Sequence, residues 1–255
     1  MFVTEIGLTL PYYLTIDMKI HFAYNTKGGV GKSFFLRTFI QYLLDRDYSF
    51  TVFDTDRNNP DVYRCYKSII PIKLAIFSEA TKYEDSANSI FNNAIDFTTL
   101  VNLPAQVYEP LKLWIYNNEL LEVGKEVGVR FHFWHVTDAG YDSLQLLKKT
   151  LKLYQHYVDY TVVKNYGRAN DNDFDAFDSD RELQELLQQY AVPTIALPCF
   201  IGSTLRNTID AQSLSFGEAL NNKELGVIQK QRIRKFLRES YRELDTVFQS
   251  PILAS

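Results

Sequence analysis

Lys19-Ile20-His21-Phe22-Ala23-Tyr24-Asn25-Thr26-Lys27-Gly28-Gly29-Val30-Gly31-Lys32-Ser33-Phe34-Phe35 is the stretch whose reading decides the fold. Ile20 to Tyr24 is an apolar run that reads as a buried strand. Phe35, Phe39, Ile40, Leu43 and Leu44 recur at the spacing of one helix face. Between them, Lys27 to Ser33 is a glycine loop at the junction of strand and helix, the context a phosphate-binding loop requires. Glycines let successive backbone N–H groups turn inward around an anion, and the helix N-terminus adds the positive end of its dipole. On this reading Lys27, Gly28, Gly29, Val30, Gly31, Lys32, Ser33 and Phe34 surround a nucleotide's phosphates. Lys32 reaches the terminal phosphates, and the Ser33 hydroxyl ligates Mg2+. The bland alternative is a glycine-rich turn with no ligand. Strand, loop and helix standing in the required order weigh against it.

One position departs from the usual loop. Where the pattern opens with glycine, five residues before Gly31, this chain has Thr26, followed at once by Lys27. A second lysine there resembles the deviant Walker A loop of the ParA/MinD class of ATPases. The resemblance implies an ATP-dependent homodimer in which Lys27 reaches the partner's phosphates. Asp54-Thr55-Asp56, after the β-branched and aromatic run Ser49–Phe53, resembles the switch I element of that class. It implies Asp54 near Mg2+ and Asp56 orienting the attacking water. The Pro-Gln usual after it is replaced by Arg57-Asn58-Asn59-Pro60. An Asp-rich turn that caps the next helix is the competing reading.

Thr98 to Gln106 resembles the switch II element, with Asn102 where the class carries aspartate. A neutral amide keeps the shape and loses one negative charge at the metal. Asp138, in Val136-Thr137-Asp138-Ala139-Gly140, competes for this role. Strand counting favours Asn102, because choosing Asp138 leaves a surplus strand before it and one too few after. Asn165, following Tyr160–Lys164, resembles the residue that contacts the base, although Asn-x-Gly is also ordinary turn chemistry.

Further strands are expected at Ile72–Phe77, Val129–His135, Tyr160–Lys164 and Pro193–Pro198. Helices are expected at Glu84–Ile95, Leu144–Tyr157 and Arg181–Tyr190. This alternation predicts a doubly wound α/β domain, mostly parallel, with helices on both faces and the site at the carboxyl ends of the strands. At 255 residues one domain suffices: residues 18–255, after an N-terminal extension over 1–17 to which no function is assigned.

A formal charge of −4 excludes a globally basic nucleic-acid binder but permits a local basic patch. Cys65 and Cys199 lie far apart, which argues against a disulfide framework or zinc site and fits a reducing cytoplasm. No stretch is apolar for long enough to span a bilayer, and the N-terminus makes a poor secretory signal. The expected C-terminal helix, Lys223–Phe248, sets Lys230, Arg232, Arg234, Lys235, Arg238 and Arg242 beside Ile228, Ile233, Phe236, Leu237 and Leu244. Sequence-tolerant contact with DNA phosphates is the functional reading, and a solvated helix laced with Glu239 and Glu243 pairs the bland one. The uncharged tail ranks membrane binding lower. His132 and His135 read as satisfied core residues.

The expectation is therefore a slow, nucleotide-switched dimeric ATPase using ATP and Mg2+ and working with a partner protein. Within the family it resembles, the spacing is nearest the shorter members found with plasmid partition, mobilisation and conjugal-transfer genes. A nearly inactive ATP-dependent binding module is the alternative. A metabolic or metal-chaperone ATPase is the third, weakened in its metal form by the lack of a cysteine pair.

Overall fold

The computed structural model describes residues 19–78, 80 and 85–248. The expected extension over 1–17 and the tail from Gln249 lie outside them. Seven strands form one sheet: β1 Lys19–Tyr24, β2 Thr51–Asp54, β3 Ile72–Leu74, β4 Thr99–Asn102, β5 Arg130–Thr137, β6 Asp159–Asn165 and β7 Thr194–Leu197. Their order is β3-β2-β4-β1-β5-β6-β7, and every pairing is parallel. β1 sits in the middle, with Ile20 opposite Thr99 on one side and Phe131 on the other.

Alternation along the strands divides the core into two layers, as a sheet covered on both faces requires. Ile20, Phe22, Tyr24, Phe131 and Phe133 face one layer, closed by the helices Asn88–Ala94, Tyr108–Asn117, Leu120–Val127, Tyr141–Tyr154 and Arg181–Gln189. Ala23, Trp134, Val136 and Val163 face the other, closed by Lys32–Leu44, Asp61–Tyr66, Ser203–Ala211, Phe216–Asn221 and Val227–Phe248. From β1 the chain crosses through Lys32–Leu44 to β2; from β4 it crosses through Tyr108–Val127 to β5, on the other side of β1. The two crossovers diverge at the carboxyl end of β1, opening the crevice in which doubly wound sheets place their ligands.

All seven strands fall where the sequence places them, with shifted ends. β3 stops at Leu74 rather than Phe77; among the described residues it is an edge strand, paired with β2 alone. The helix expected from Glu84 runs from Asn88, and Glu84 itself lies outside the described residues. The helix expected from Leu144 starts at Tyr141 and gives way after Tyr154 to a 3-10 turn, Gln155–Tyr157. The C-terminal helix starts at Val227, not Lys223. Its Ile233, Phe236, Leu237 and Leu244 are buried, each worth roughly 1.5–3 kcal/mol. Ile228, expected on the buried face, is 67% exposed, because it stands in the first turn, ahead of the packed stretch.

Candidate functional site

The glycine loop connects β1 to the helix Lys32–Leu44. Gly29 and Gly31 have φ of 80° and 101°, conformations open to glycine and strained for other residues. A Cβ at Gly31 would also collide with the Asn165 side-chain amide. Val30, between these glycines, is buried and anchors the loop. The first turn of the helix leaves its N–H groups directed at the crevice, as helix geometry dictates. Lys32 bends back to donate from Nζ to the Lys27 carbonyl at 3.1 Å. Burial pushes the Lys32 amine down to about 8, and the Asp56 charge opposes that fall. Ser33 and Phe34 are half-buried at the helix start.

Asn25, the last residue before the loop, is a participant the sequence reading missed. Fully buried, it accepts from the Lys27 N–H at 2.9 Å and donates to the Val136 carbonyl at 2.8 Å and Ser143 Oγ at 2.6 Å. The loop is thus tied to the end of β5. Nothing in the sequence distinguishes Asn25 from a turn residue, since Val136 and Ser143, to which it donates, lie more than 100 positions away.

Asp54 is buried at the end of β2. Its Oδ1 accepts from Asn102 Nδ2 at 2.9 Å and the Asp56 N–H at 3.2 Å, and its Oδ2 from the Tyr63 N–H at 2.9 Å. Burial raises the Asp54 carboxyl; the Tyr63 N–H and Asn102 amide partly offset the rise. Asp56 Oδ1 accepts from the Asn58 and Asn59 N–H groups at 3.2 and 3.1 Å. Asp54 thus satisfies one N–H in the first turn of the helix Asp61–Tyr66, whose N-cap residue is Pro60, so the capping reading of Asp54-Thr55-Asp56 holds in part. It coexists with a place at the crevice, where Asp56 and Lys32 feel each other's charge.

Asn102 ends β4 beside Asp54. It is wholly buried, and its Oδ1 has no hydrogen-bond partner among the described residues. Among the described residues no three His, Cys, Asp or Glu side chains gather around a metal position. The Ser33 hydroxyl, the Asp54 carboxylate and the orphaned Asn102 oxygen are hard oxygen groups with one formal charge, the set that suits a hydrated Mg2+ arriving with substrate phosphates. A metal-bound water would supply the donor that Asn102 Oδ1 lacks.

Asp138 lies at the end of β5, off the Asp54–Asn102 pair. Its Oδ2 takes the Lys27 ammonium at 2.7 Å. Burial pushes the Asp138 carboxyl up, but Lys27 and the Gly140 N–H outweigh it and hold the group below the usual carboxylate range. Asn165 is buried at the end of β6, donating to the Val30 carbonyl at 2.7 Å and accepting from the Gly167 N–H at 3.0 Å. Its amide braces the glycine loop. It also borders a cleft lined by Phe34, Arg168, Pro198, Phe200 and Arg206.

On the C-terminal helix, Arg232, Arg234, Lys235 and Arg238 are exposed and Lys230 is half-buried. Lys235 meets Glu239 at 3.7 Å. Glu243 instead accepts from the Ala196 N–H at 2.9 Å, capping edge strand β7. Among the described residues His132 and His135 are only half satisfied: each uses Nε2, on Thr161 Oγ1 and the Ser143 carbonyl, and leaves Nδ1 unpartnered. His21 accepts the Trp134 indole N–H on Nδ1, and its Nε2 has no partner among the described residues. The expectation of satisfied histidines is corrected by this. Each sits where the strand pleat drives a ring into a buried layer.

No protein-family model matches the chain. The protein MobD of Acidithiobacillus ferrooxidans is 24% identical over 224 residues, covering 87% of this chain and 94% of that protein. Among the described residues no helix is long and apolar enough to cross a membrane.

Proposed function

We propose that the chain binds and slowly hydrolyses ATP as a nucleotide-switched dimer acting in plasmid or DNA mobilisation or partition, in the manner of the ParA/MinD class it resembles. The observation that carries this reading is the pairing of two lysines on one glycine loop. Lys32 is folded back over the loop, while Lys27 stands on the outer side, partly exposed. The similarity to a protein named MobD supports the mobilisation setting.

In this account, backbone N–H groups from Gly28 to Phe34 hold the phosphates, and Lys32 neutralises their charge. Phe34, Phe200 and Arg206 flank the base, with Asn165 holding the loop and bordering the base cleft. Ser33, Asp54 and Asn102 would hold Mg2+, which would supply further charge neutralisation. Asp56 orients a water toward the terminal phosphate, and Lys27 crosses to the second copy. Such catalysis is positioning and electrostatics rather than covalent chemistry. The exposed arginines of the C-terminal helix then meet DNA phosphates, a contact set that weakens steeply with salt.

The second reading, a nearly inactive ATP-dependent module read by a partner protein, is favoured by Asn102. An uncharged amide beside an Asp54 carboxylate already holding three donors leaves little negative charge for the metal. ATP turnover by the full chain separates the two. Measurable hydrolysis lost in Lys32→Ala supports the enzyme; ATP binding without turnover supports the module.

A further inference from the structure

We propose that Asp138 and Gly140 form a seat for the Lys27 ammonium within its own chain, and that Lys27 must leave this seat to reach a second copy. Asp138 then acts as a positioning residue that sets how readily two chains join. This rests on the dimer reading above.

The seat is built on both sides. Lys27 Nζ lies 2.7 Å from Asp138 Oδ2, with the two side chains 39% and 19% exposed. The Gly140 N–H holds Oδ1 at 3.1 Å, which leaves Oδ2 for the lysine. Gly140 has φ −64° and ψ 147°, a backbone conformation any residue adopts. Glycine is therefore not needed there for its torsions. What it supplies is room: a Cβ would stand 2.7 Å from Lys27 Nζ and 3.1 Å from Asp138 Oδ1. The missing methyl and the ammonium claim the same space.

The surrounding network fixes the backbone and leaves only the side chain to move. Asn25 accepts from the Lys27 N–H and fastens it to β5 through Val136 and to the helix Tyr141–Tyr154 through Ser143. Ser143 Oγ donates to Thr137 Oγ1, and Thr137 Oγ1 accepts from the Ala139 N–H at 3.0 Å. That bond steadies Ala139 at φ 59°, an uncommon conformation for a residue with a side chain. With both backbones pinned, a swing of the flexible lysine stem is the cheap motion, and the Asp138 pair is what opposes it. A partly exposed pair of this kind has a modest strength, suited to a contact that has to open.

The test sizes the full chain over a concentration series of a non-hydrolysable ATP analogue with Mg2+, for wild type, Asp138→Asn, Gly140→Ala and Lys27→Ala. Asp138→Asn removes the charge and keeps an oxygen for Gly140; Gly140→Ala keeps the charge and crowds the ammonium out. Both are expected to lower the analogue concentration for half-maximal dimer by about two- to fivefold, while Lys27→Ala forms no dimer. A second readout is acylation of the Lys27 amine, followed by peptide mass spectrometry; both variants should speed it, which a merely structural role for Asp138 would not. A wild-type chain that stays monomeric at every concentration overturns the dimer reading and this seat with it. A Lys27-dependent dimer whose formation is unchanged or weakened in either variant, or unchanged acylation, overturns the seat alone.

Discussion

Asn102 donates its side-chain amide to Asp54 Oδ1 at 2.9 Å, joining the ends of two adjacent strands, and keeps its own oxygen buried without a partner among the described residues. Asparagine at this point stabilises a carboxylate that burial alone would protonate more readily. Replacing it by aspartate exchanges a donor for a second negative charge. Asn102→Asp is expected to cost roughly 2–3 kcal/mol in the absence of divalent cation, through loss of a buried hydrogen bond and like-charge repulsion. Mg2+ with nucleotide should recover much of that loss and raise turnover above the parent. Thermal melts with and without Mg2+, alongside phosphate release, check both; a variant that melts like the parent and hydrolyses no faster counts against the metal assignment.

Lys32 gives the site its pH dependence. With its amine pushed down to about 8, the side chain is largely charged at pH 7.5 and largely neutral at pH 9. A polyphosphate binds the charged form, so affinity falls as pH rises through 8. Nucleotide should bind roughly eightfold more weakly at pH 9 than at pH 7.5 if only the protonated lysine counts. Titration calorimetry across this range reads the slope, which should vanish in Lys32→Ala.

Gly31→Ala should fail for two reasons that are separable. The φ of 101° strains any side chain, and the added carbon meets the Asn165 amide. Asn165→Ala removes the collision but also the bond to the Val30 carbonyl. The single Gly31→Ala change is expected to lower stability by about 2 kcal/mol or more. The double variant should recover only part of this, the torsional strain remaining. Chemical denaturation of the four proteins measures the coupling.

Acid should unfold the chain through its histidines. Burial holds His132 near 3 and His135 near 4, and lowers His21 well below its ordinary value. The unfolded chain takes up these protons near pH 6.5, the folded chain only far below. Stability from the neutral rings is therefore complete above about pH 6.5 and drains as pH falls toward 4, by on the order of 3 kcal/mol for His135 alone. Denaturant midpoints at pH 7 and pH 5 check this; His135→Gln should flatten the dependence.

What the sequence disclosed follows from how local each signal is. The seven strands are short apolar or β-branched runs bounded by turn residues, and they could be found one at a time. The glycine loop was legible because its strand, turn and helix are contiguous. The paired helices Tyr108–Asn117 and Leu120–Val127 were not placed from the sequence; Pro110 stands in the first turn of the former, where proline is tolerated. The helices Ser203–Ala211 and Phe216–Asn221 hid in a stretch rich in small polar residues, where only the capping box at Ser215 and Glu218 marks a start. The Lys27–Asp138 and Asn25–Ser143 contacts could not be read at all. Each joins residues more than 100 positions apart, and only the parallel pairing of β1 with β5 brings them together.

The central claim is tested most directly by titrating Mg–ATP into the full chain in a calorimeter, with Lys32→Ala as the control. Saturable heat from the parent that disappears in the variant is the predicted result. A parent chain that takes up no nucleotide at millimolar Mg–ATP would contradict the account, leaving the α/β layering intact and its glycine loop an ordinary turn.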